Sequence, residues 1–338
     1  MSSVHQQAAA PWAARPTGSG TVFMFGGQGT QYFQMGRELY RSHPVFRARM
    51  DACDALIRAE LAYSLTEVLY QGGRKASTPF DDILQTHPAL FSIGYSLGET
   101  LRAEGIEPAA VLGYSLGEYI ALACAGCLHW EDGLHLVMRQ AQVLARHAAP
   151  GGMLSVFAAV EQFGQRPELY GGSQLAVVNF SGSFCVSGAR ETLEAIHRCL
   201  EAEGVIATSL PIRFAFHSSG IDLVEERIRG LAANLRIEPG RVPVYSCRLQ
   251  RAIGAADIAD PAAYCWGVVR DRVPFEATVR RLAADLPAPF LVDLSATGTL
   301  ATFMKYARID DVKYAHCINQ FGRDLNDYQS LMSRLESA

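Results

Sequence analysis

Short apolar runs ended by glycine turns alternate, in the first half of the chain, with longer stretches of helical periodicity. Residues 21–25 (TVFMF) are followed at once by GGQGTQ, which predicts a buried strand running into a glycine turn. Apolar positions then recur at helical spacing through 45–56, and through Leu90, Ile93, Leu97 and Leu101 as far as the turn EGIEP. Residues 109–112 form a second short buried strand, followed by a long helix from about 116 to 125. Strand, helix, strand, helix in that order predicts an α/β fold with a parallel sheet covered by helices.

Between 149 and 216 the pattern changes, because strand-like runs outnumber helices. Residues 153–160, 175–179, 184–187 and 205–214 read as four strands. Helical patterns lie near 161–169 and along the face marked by Leu193, Ile196 and Leu200. The order βαββαβ is that of a split, ferredoxin-like unit. Further strands are expected at 242–246 and 290–294. The predicted organisation is a loose tail over 1–20, a large α/β subdomain made of 21–148 and 217–338, and a small inserted subdomain over 149–216.

Composition narrows the function classes. Of 338 residues 49% are hydrophobic and 19% charged, the balance of a globular protein rather than a disordered one. Lys and Arg number 30 against 34 Asp and Glu, a net charge of −4 with no like-charge block, so a nucleic-acid partner is not expected. Charged residues interrupt every apolar stretch before it reaches the roughly 18 residues of a membrane span. The first twenty residues lack the charged and apolar regions of a signal peptide, and a cytoplasmic location is expected. Eight scattered cysteines then read as reduced thiols. Cys124 and Cys127 form a CxxC, but in the apolar run IALACAGCL and without a second pair they supply only two of the four ligands zinc wants.

The hexapeptide GYSLGE occurs twice, at 94–99 and 113–118, and each copy contains the G-x-S-x-G of a nucleophile elbow. An elbow needs a strand before it and a helix after it. Ser115 has that setting, between AAVL and LGEYIALA, whereas Ser96 lies within a continuous helical period. A nucleophilic serine needs a base, and there are nine histidines. His197, His129 and His135 read as solvated or satisfied. His217, in FAFHSS, is expected at the end of the insert's last strand, where the chain re-enters the large subdomain. His316 competes with it, because Ser115, Asp293 and His316 follow the chain order of an α/β-hydrolase triad.

GGQGTQ, GYSLGEY, the AFHS of His217 and the inserted βαββαβ unit, in that order, resemble the malonyl-CoA:acyl carrier protein transacylase family, over residues 21–321. The resemblance implies an α/β-hydrolase-like parallel sheet core with a ferredoxin-like insert, and a Ser115–His217 pair that passes an acyl group through an acyl-serine. It implies an oxyanion hole from Gln28 and the backbone N–H of Leu116. It also implies that a backbone carbonyl orients the histidine, for which Glu276 in RVPFEA is the candidate, with its carboxylate an additional one.

The sequence departs from that family where malonyl-using members place an arginine, twenty-five residues after the nucleophile. Here the position is Gln140, and the adjacent Arg139 is rotated from it by about 100° on a helix. A buried carboxylate without its partner costs roughly 3–5 kcal/mol, so malonyl is a poor candidate and a neutral acyl chain is expected. With THPALF upstream and TGTLATFMKY downstream, the chain resembles the free-standing acyl hydrolases of trans-acyltransferase polyketide pathways. Phe214 and Phe216 are candidate acyl-pocket residues. Ser295 and Ala296 stand where the wider family has Gly-Pro. The expected partner is an acyl carrier protein. No cofactor is implied beyond the phosphopantetheine arm of that partner, or CoA, and no metal. Hydrolysis, transfer to a second thiol and non-catalytic carrier binding are the three functions that this reading separates.

Overall fold

A computed structural model describes residues 20–337; the predicted tail lies outside them apart from Gly20. The strands are β1 (Thr21–Phe25), β2 (Ala110–Gly113), β3 (Gly152–Val156), β4 (Ser173–Phe180), β5 (Ser183–Gly188), β6 (Ala207–Ser209), β7 (Val244–Ser246), β8 (Arg251–Ala252), β9 (Val273–Pro274), β10 (Phe290–Asp293) and β11 (Lys313–His316). They form two mixed sheets.

The larger sheet has the order β11-β10-β1-β2-β7-β8, parallel except for the edge strand β8. Its central strands are buried on both faces, as a helix-covered parallel sheet requires. Alternation along β1 divides the core: Phe23 and Phe25 enter the cluster that holds the Ile83–Ala103 and Gly117–Ala125 helices. Val22 and Met24 enter the opposite one with Phe275, Val279 and Met304. The edge strands carry exposed Lys313 and Arg251, charges that disfavour pairing with a further strand.

The second sheet has the order β6-β3-β5-β4-β9. Its first four strands pair antiparallel, with helical elements between β3 and β4 and between β5 and β6. β9 comes from outside the predicted insert and pairs parallel to β4, Val177 opposite Val273. Two expectations need correction. The strand expected at 205–214 is only Ala207–Ser209, because Pro211 has no N–H to give a ladder. His217 therefore sits in a turn beyond the sheet rather than at a strand end.

The Ile83–Ala103 helix is buried on almost every side although Pro88 interrupts its ladder. The carbonyl of Leu84, which loses its i+4 donor at Pro88, accepts instead from the Tyr63 hydroxyl at 2.8 Å. Two of its buried hydroxyls bond back within the helix, Ser92 to Pro88 O and Thr100 to Ser96 O, both at 2.7 Å.

β1, β2 and the Gly117–Ala125 helix meet at close quarters. A Cβ on Gly117 would stand 2.0 Å from Phe25 O. Glycine within a helix ordinarily costs about 0.5–1 kcal/mol relative to alanine, and here the contact reverses the sign. Gly117→Ala is expected to lower the unfolding free energy by about 1 kcal/mol or more, the size of an overpacking penalty. Gly230→Ala, in an exposed helical turn with nothing near its Cβ, should raise it by about 0.5–1 kcal/mol. Denaturant titration of both variants checks the pair.

Candidate active site

Ser115 stands directly after β2 with a backbone φ of 55°, in the left-handed region. The turn that puts it there needs Gly113, whose Cβ would lie 2.3 Å from Glu118 Cα. The Gly117–Ala125 helix begins two residues later, so the strand-turn-helix setting of a nucleophile elbow is present. Ser96 lies buried inside the Ile83–Ala103 helix, and the glycines of its copy press against Ile120 and Cys124 instead. The repeated hexapeptide thus serves an elbow in one place and helix packing in the other.

Ser115 Oγ lies 2.8 Å from His217 Nε2. His217 also has positive φ, 58°, and the end of the Pro261–Arg270 helix holds it. Its backbone N–H donates to Val269 O at 3.0 Å, and Nδ1 lies 2.8 Å from Asp271 O. Carbonyls at a helix C-terminus lack intrahelical donors, so they are free to orient an imidazole. With Nδ1–H donating to Asp271 O, Nε2 carries the lone pair that faces the serine hydroxyl. Burial lowers the His217 pKa to about 4, against the opposing pull of the Asp271 carbonyl and carboxylate. The ring is therefore neutral, and able to accept a proton, at pH 7.

The orienting group is not at Glu276. That carboxylate accepts from Ser181 N–H at 2.8 Å and from Arg280, which ties the Phe275–Asp285 helix to the second sheet. A main-chain carbonyl needs no particular side chain, so the match of RVPFEA to the family's segment left the position open by several residues, and the carbonyl is that of Asp271, five residues before Glu276. The Asp271 side chain is itself held by Arg248, 3.0 Å away.

His316 is not a partner of Ser115. β11 lies three strands from β2, about 14 Å at the usual spacing. Its ring receives Asn319 Nδ2 at 3.3 Å. Asp293 accepts from the N–H groups of Ser295 and Ala301. Cys124 and Cys127 are buried thiols whose pKa values burial pushes up to about 11 and 12, far from the thiolate that metal binding or exchange needs.

The Ser115–His217 pair opens on a cavity of about 520 Å³, its mouth included. Gln28, Leu116, Gln140 and Phe216 line it, and among the described residues no Arg, Lys, Asp or Glu side chain does. Gln28 Nε2 donates to Thr86 Oγ1 at 3.3 Å. Among the described residues, the backbone N–H groups of Gln28 and Leu116 have no acceptor within the protein. Two free main-chain donors therefore flank the serine. Gln140 is buried, and its Nε2 donates to the Tyr119 hydroxyl at 3.2 Å. Arg139 points to the surface, with Nε 3.0 Å from Glu60, which His135 also contacts.

Phe216 is part of the cavity wall, but Phe214 is not: it packs edge-on against the Phe216 ring from outside, at 6.1 Å. Ser295 abuts the glycine turn after β1, where a Cβ on Gly26 would come within 2.6 Å of its own. Two residues of the site escaped the sequence reading. Asp271 acts through an atom that every residue possesses. His87, in THPALF, lines the cavity fully buried, and the signal for it was a ring nitrogen on a helix with no polar face.

A sequence model of the acyl transferase domain family matches residues 22–337. The polyketide biosynthesis acyltransferase homolog PksD of Bacillus subtilis is 34% identical over 284 residues, 84% of this chain and 86% of its own. The solved loading acyltransferase of the avermectin modular polyketide synthase superposes with a TM-score of 0.86 at 28% identity, covering 94% of this chain and 100% of its own. The MCAT of Streptococcus pneumoniae shares the fold, with a TM-score of 0.76 at 23% identity over 94% of this chain and 100% of its own.

Left-handed backbone costs a non-glycine residue roughly 1–2 kcal/mol, which the greater unfolded-state freedom of glycine partly offsets. Ser115→Gly should therefore be more stable than Ser115→Ala by on the order of 0.5–1 kcal/mol, as read by denaturant unfolding of the two variants. An NMR titration of the His217 ring is expected to have its midpoint near pH 4. A midpoint near the ordinary value of about 6.5 would mean that water reaches the ring.

Proposed function

The chain belongs to the acyl transferase domain family, and from that membership we propose that it removes neutral acyl groups from carrier-protein thioesters in polyketide biosynthesis by way of an acyl-serine. The observation that carries the reading is the 2.8 Å contact between Ser115 Oγ and a neutral, carbonyl-oriented His217 beside a wall without charged side chains. The name of the PksD relative supports the pathway assignment.

In this reading His217 Nε2 takes the hydroxyl proton while Oγ attacks the thioester carbon. The oxyanion receives the N–H groups of Gln28 and Leu116, donors whose loss typically costs roughly 10²–10³ in rate. When the tetrahedral adduct collapses, the C–S bond breaks and the proton on His217 passes to the departing phosphopantetheine sulfur. Water then attacks the acyl-serine, His217 takes one of its protons and returns it to Oγ, and the free acid leaves. The thiol handle is the carrier's phosphopantetheine arm, or CoA.

Gln140 supports a neutral chain, because a malonyl carboxylate entering this wall would meet no cation. The loss of a buried charge's partner, roughly 3–5 kcal/mol, amounts to two or more decades of discrimination. A second reading, transfer of the acyl group to another carrier, draws support from the acyltransferase names of the relatives. It shares every step up to the acyl-enzyme. A carrier-binding scaffold without chemistry has no use for a base facing a serine.

The domain assignment rests on the same reading. Strand order β6-β3-β5-β4 over 149–216 supports a ferredoxin-like insert. The strand-turn-helix at Ser115 supports an α/β-hydrolase-like unit over 21–148 and 217–338.

Carrier proteins loaded with malonyl, acetyl or hexanoyl groups, incubated beside an empty carrier and followed by intact mass, test the proposal. Free acid from the neutral carriers, lost in Ser115→Ala, is the expected result. Acyl mass appearing on the empty carrier would favour transfer, and rapid malonyl loss would contradict the role given to Gln140. Gln140→Arg is expected to raise the malonyl-to-hexanoyl ratio of kcat/KM by about 100-fold or more.

A further inference from the structure

Behind the Ser115–His217 pair, the helix that follows the nucleophile is fastened to the helix that holds the base. Glu118, three residues after Ser115 and 1% exposed, accepts from the Tyr264 hydroxyl. The next residue along each helix repeats the bond, the Tyr119 hydroxyl donating to Cys265 O at 2.9 Å. Consecutive positions of the Gly117–Ala125 helix thus fix consecutive positions of the Pro261–Arg270 helix, whose C-terminal end supplies the two carbonyls on His217.

One charged side chain joins these parts. Arg248 follows β7, and its guanidinium lies 5.3 Å from the centre of the Tyr264 ring, the ring whose hydroxyl bonds Glu118. It crosses the Pro261–Arg270 helix at Gly267, where a Cβ would stand 2.5 Å from Nη1 and 2.7 Å from Cζ. Glycine inside a helix is unfavourable relative to alanine, and the passage of the guanidinium accounts for it here. Nη1 then donates to Asp271 Oδ2 at 3.0 Å, and the Asp271 carbonyl faces His217 Nδ1 at 2.8 Å.

An ion pair at a protein surface ordinarily contributes little to stability, and the Asp271 side chain is half exposed. The arginine differs from that case. Its side chain is 17% exposed and its Nε is buried without a partner. Among the described residues, Asp271 is its one hydrogen-bond acceptor. The Tyr264 ring and the bare backbone at Gly267 hold the guanidinium where it can make that single bond. Asp271 is the first residue past the helix, in extended backbone. Its N–H donates to Gly267 O at 2.9 Å, but no helical bond fixes the direction of its carbonyl. The guanidinium gives this residue a second point of attachment.

We propose that Arg248 is a positioning residue for the reaction: by gripping Asp271 across Gly267, it steadies the carbonyl that orients the ring of the base. The helix of the nucleophile, through Glu118 and Tyr264, and the base, through Asp271, are then registered on one side chain. Arg248 does not line the catalytic cavity, so it acts through His217 alone. The inference rests on the proposed acyl-serine chemistry for its consequence in rate.

Arg248→Met keeps the apolar stem and removes the grip. It should lower kcat for release of hexanoyl groups from the carrier by about ten-fold or more, since misplacement by about 1 Å can cost on the order of 10². KM should change by less than about two-fold, and Arg248→Lys should restore part of kcat. Gly267→Ala should lower kcat in the same way, because the added Cβ displaces the guanidinium. In the Arg248→Met background it should have no further effect. The first-order rate at which a saturating alkyl fluorophosphonate labels Ser115 reads the same geometry without a carrier, and should fall in parallel. Variants that label and turn over at the wild-type rate, losses that add in the double variant, or a loss confined to KM would overturn the proposal and leave the proposed function standing. Labelling of the wild type at Ser115 without any acyl release would overturn the proposed function instead, and the labelling rates of the variants would still decide the role of Arg248.

Discussion

The 2.8 Å contact between Ser115 and His217 joins residues 102 positions apart, and the packing around it serves to hold both ends in unfavourable backbone. Each has positive φ, a state worth on the order of 1–3 kcal/mol when a non-glycine residue is kept there. At Ser115 the glycines on either side let β2 turn back against its own helix, with that helix pressed onto the end of β1. At His217 the free carbonyls at the end of the Pro261–Arg270 helix fix the backbone and the ring together. Neither local sequence would adopt its conformation alone. The tertiary structure offsets the strain and obtains from it a serine at the rim of a cavity and a base in one tautomer.

Chemistry and selectivity are separable in this arrangement. In the proposed reaction Ser115, His217 and the main-chain donors of Gln28 and Leu116 act on the thioester group, which all acyl substrates share, and the wall acts on the chain beyond the carbonyl. With Gln140 hydrogen-bonded to Tyr119 and Arg139 turned out to Glu60, a negative charge entering the wall finds no cation. In the proposed function, one position on the Trp130–His147 helix would set the charge of the substrate without touching the reacting atoms.

Much of this was legible in the sequence, for physical reasons that can be named. β1 and β2 are short apolar runs cut off by glycine, and the elbow is marked by glycines that only a tight turn needs. The Ser96 copy was separable because a strand-turn-helix and a continuous helix differ in period. The features that escaped have no side-chain signature. β8 and β9 are two residues long, and β11 (KYAH) is an edge strand with few apolar positions. The carbonyl of Asp271 is a main-chain atom without a side-chain signature, so the segment RVPFEA pointed five residues too far, to Glu276, whose carboxylate fastens a helix. The overlong strand at 205–214 came from counting apolar residues across Pro211. Phe214 and Phe216 are equally bulky in FAFH, and only the fold shows that Phe216 lines the cavity while Phe214 packs edge-on against it. His87 was hidden because THPALF reads as helix, and only burial on all sides of that helix turns its ring nitrogen into a question.

The central claim is that Ser115 carries a neutral acyl group in preference to a charged one. It is tested most directly by presenting the protein with equal concentrations of malonyl- and butanoyl-loaded carrier, quenching in acid within the first turnover, and mapping the modified peptide by mass. The expected result is a butanoyl adduct on Ser115, with malonyl adduct lower by about two decades or more. A malonyl adduct of comparable abundance, or an acyl group on any residue other than Ser115, would contradict it.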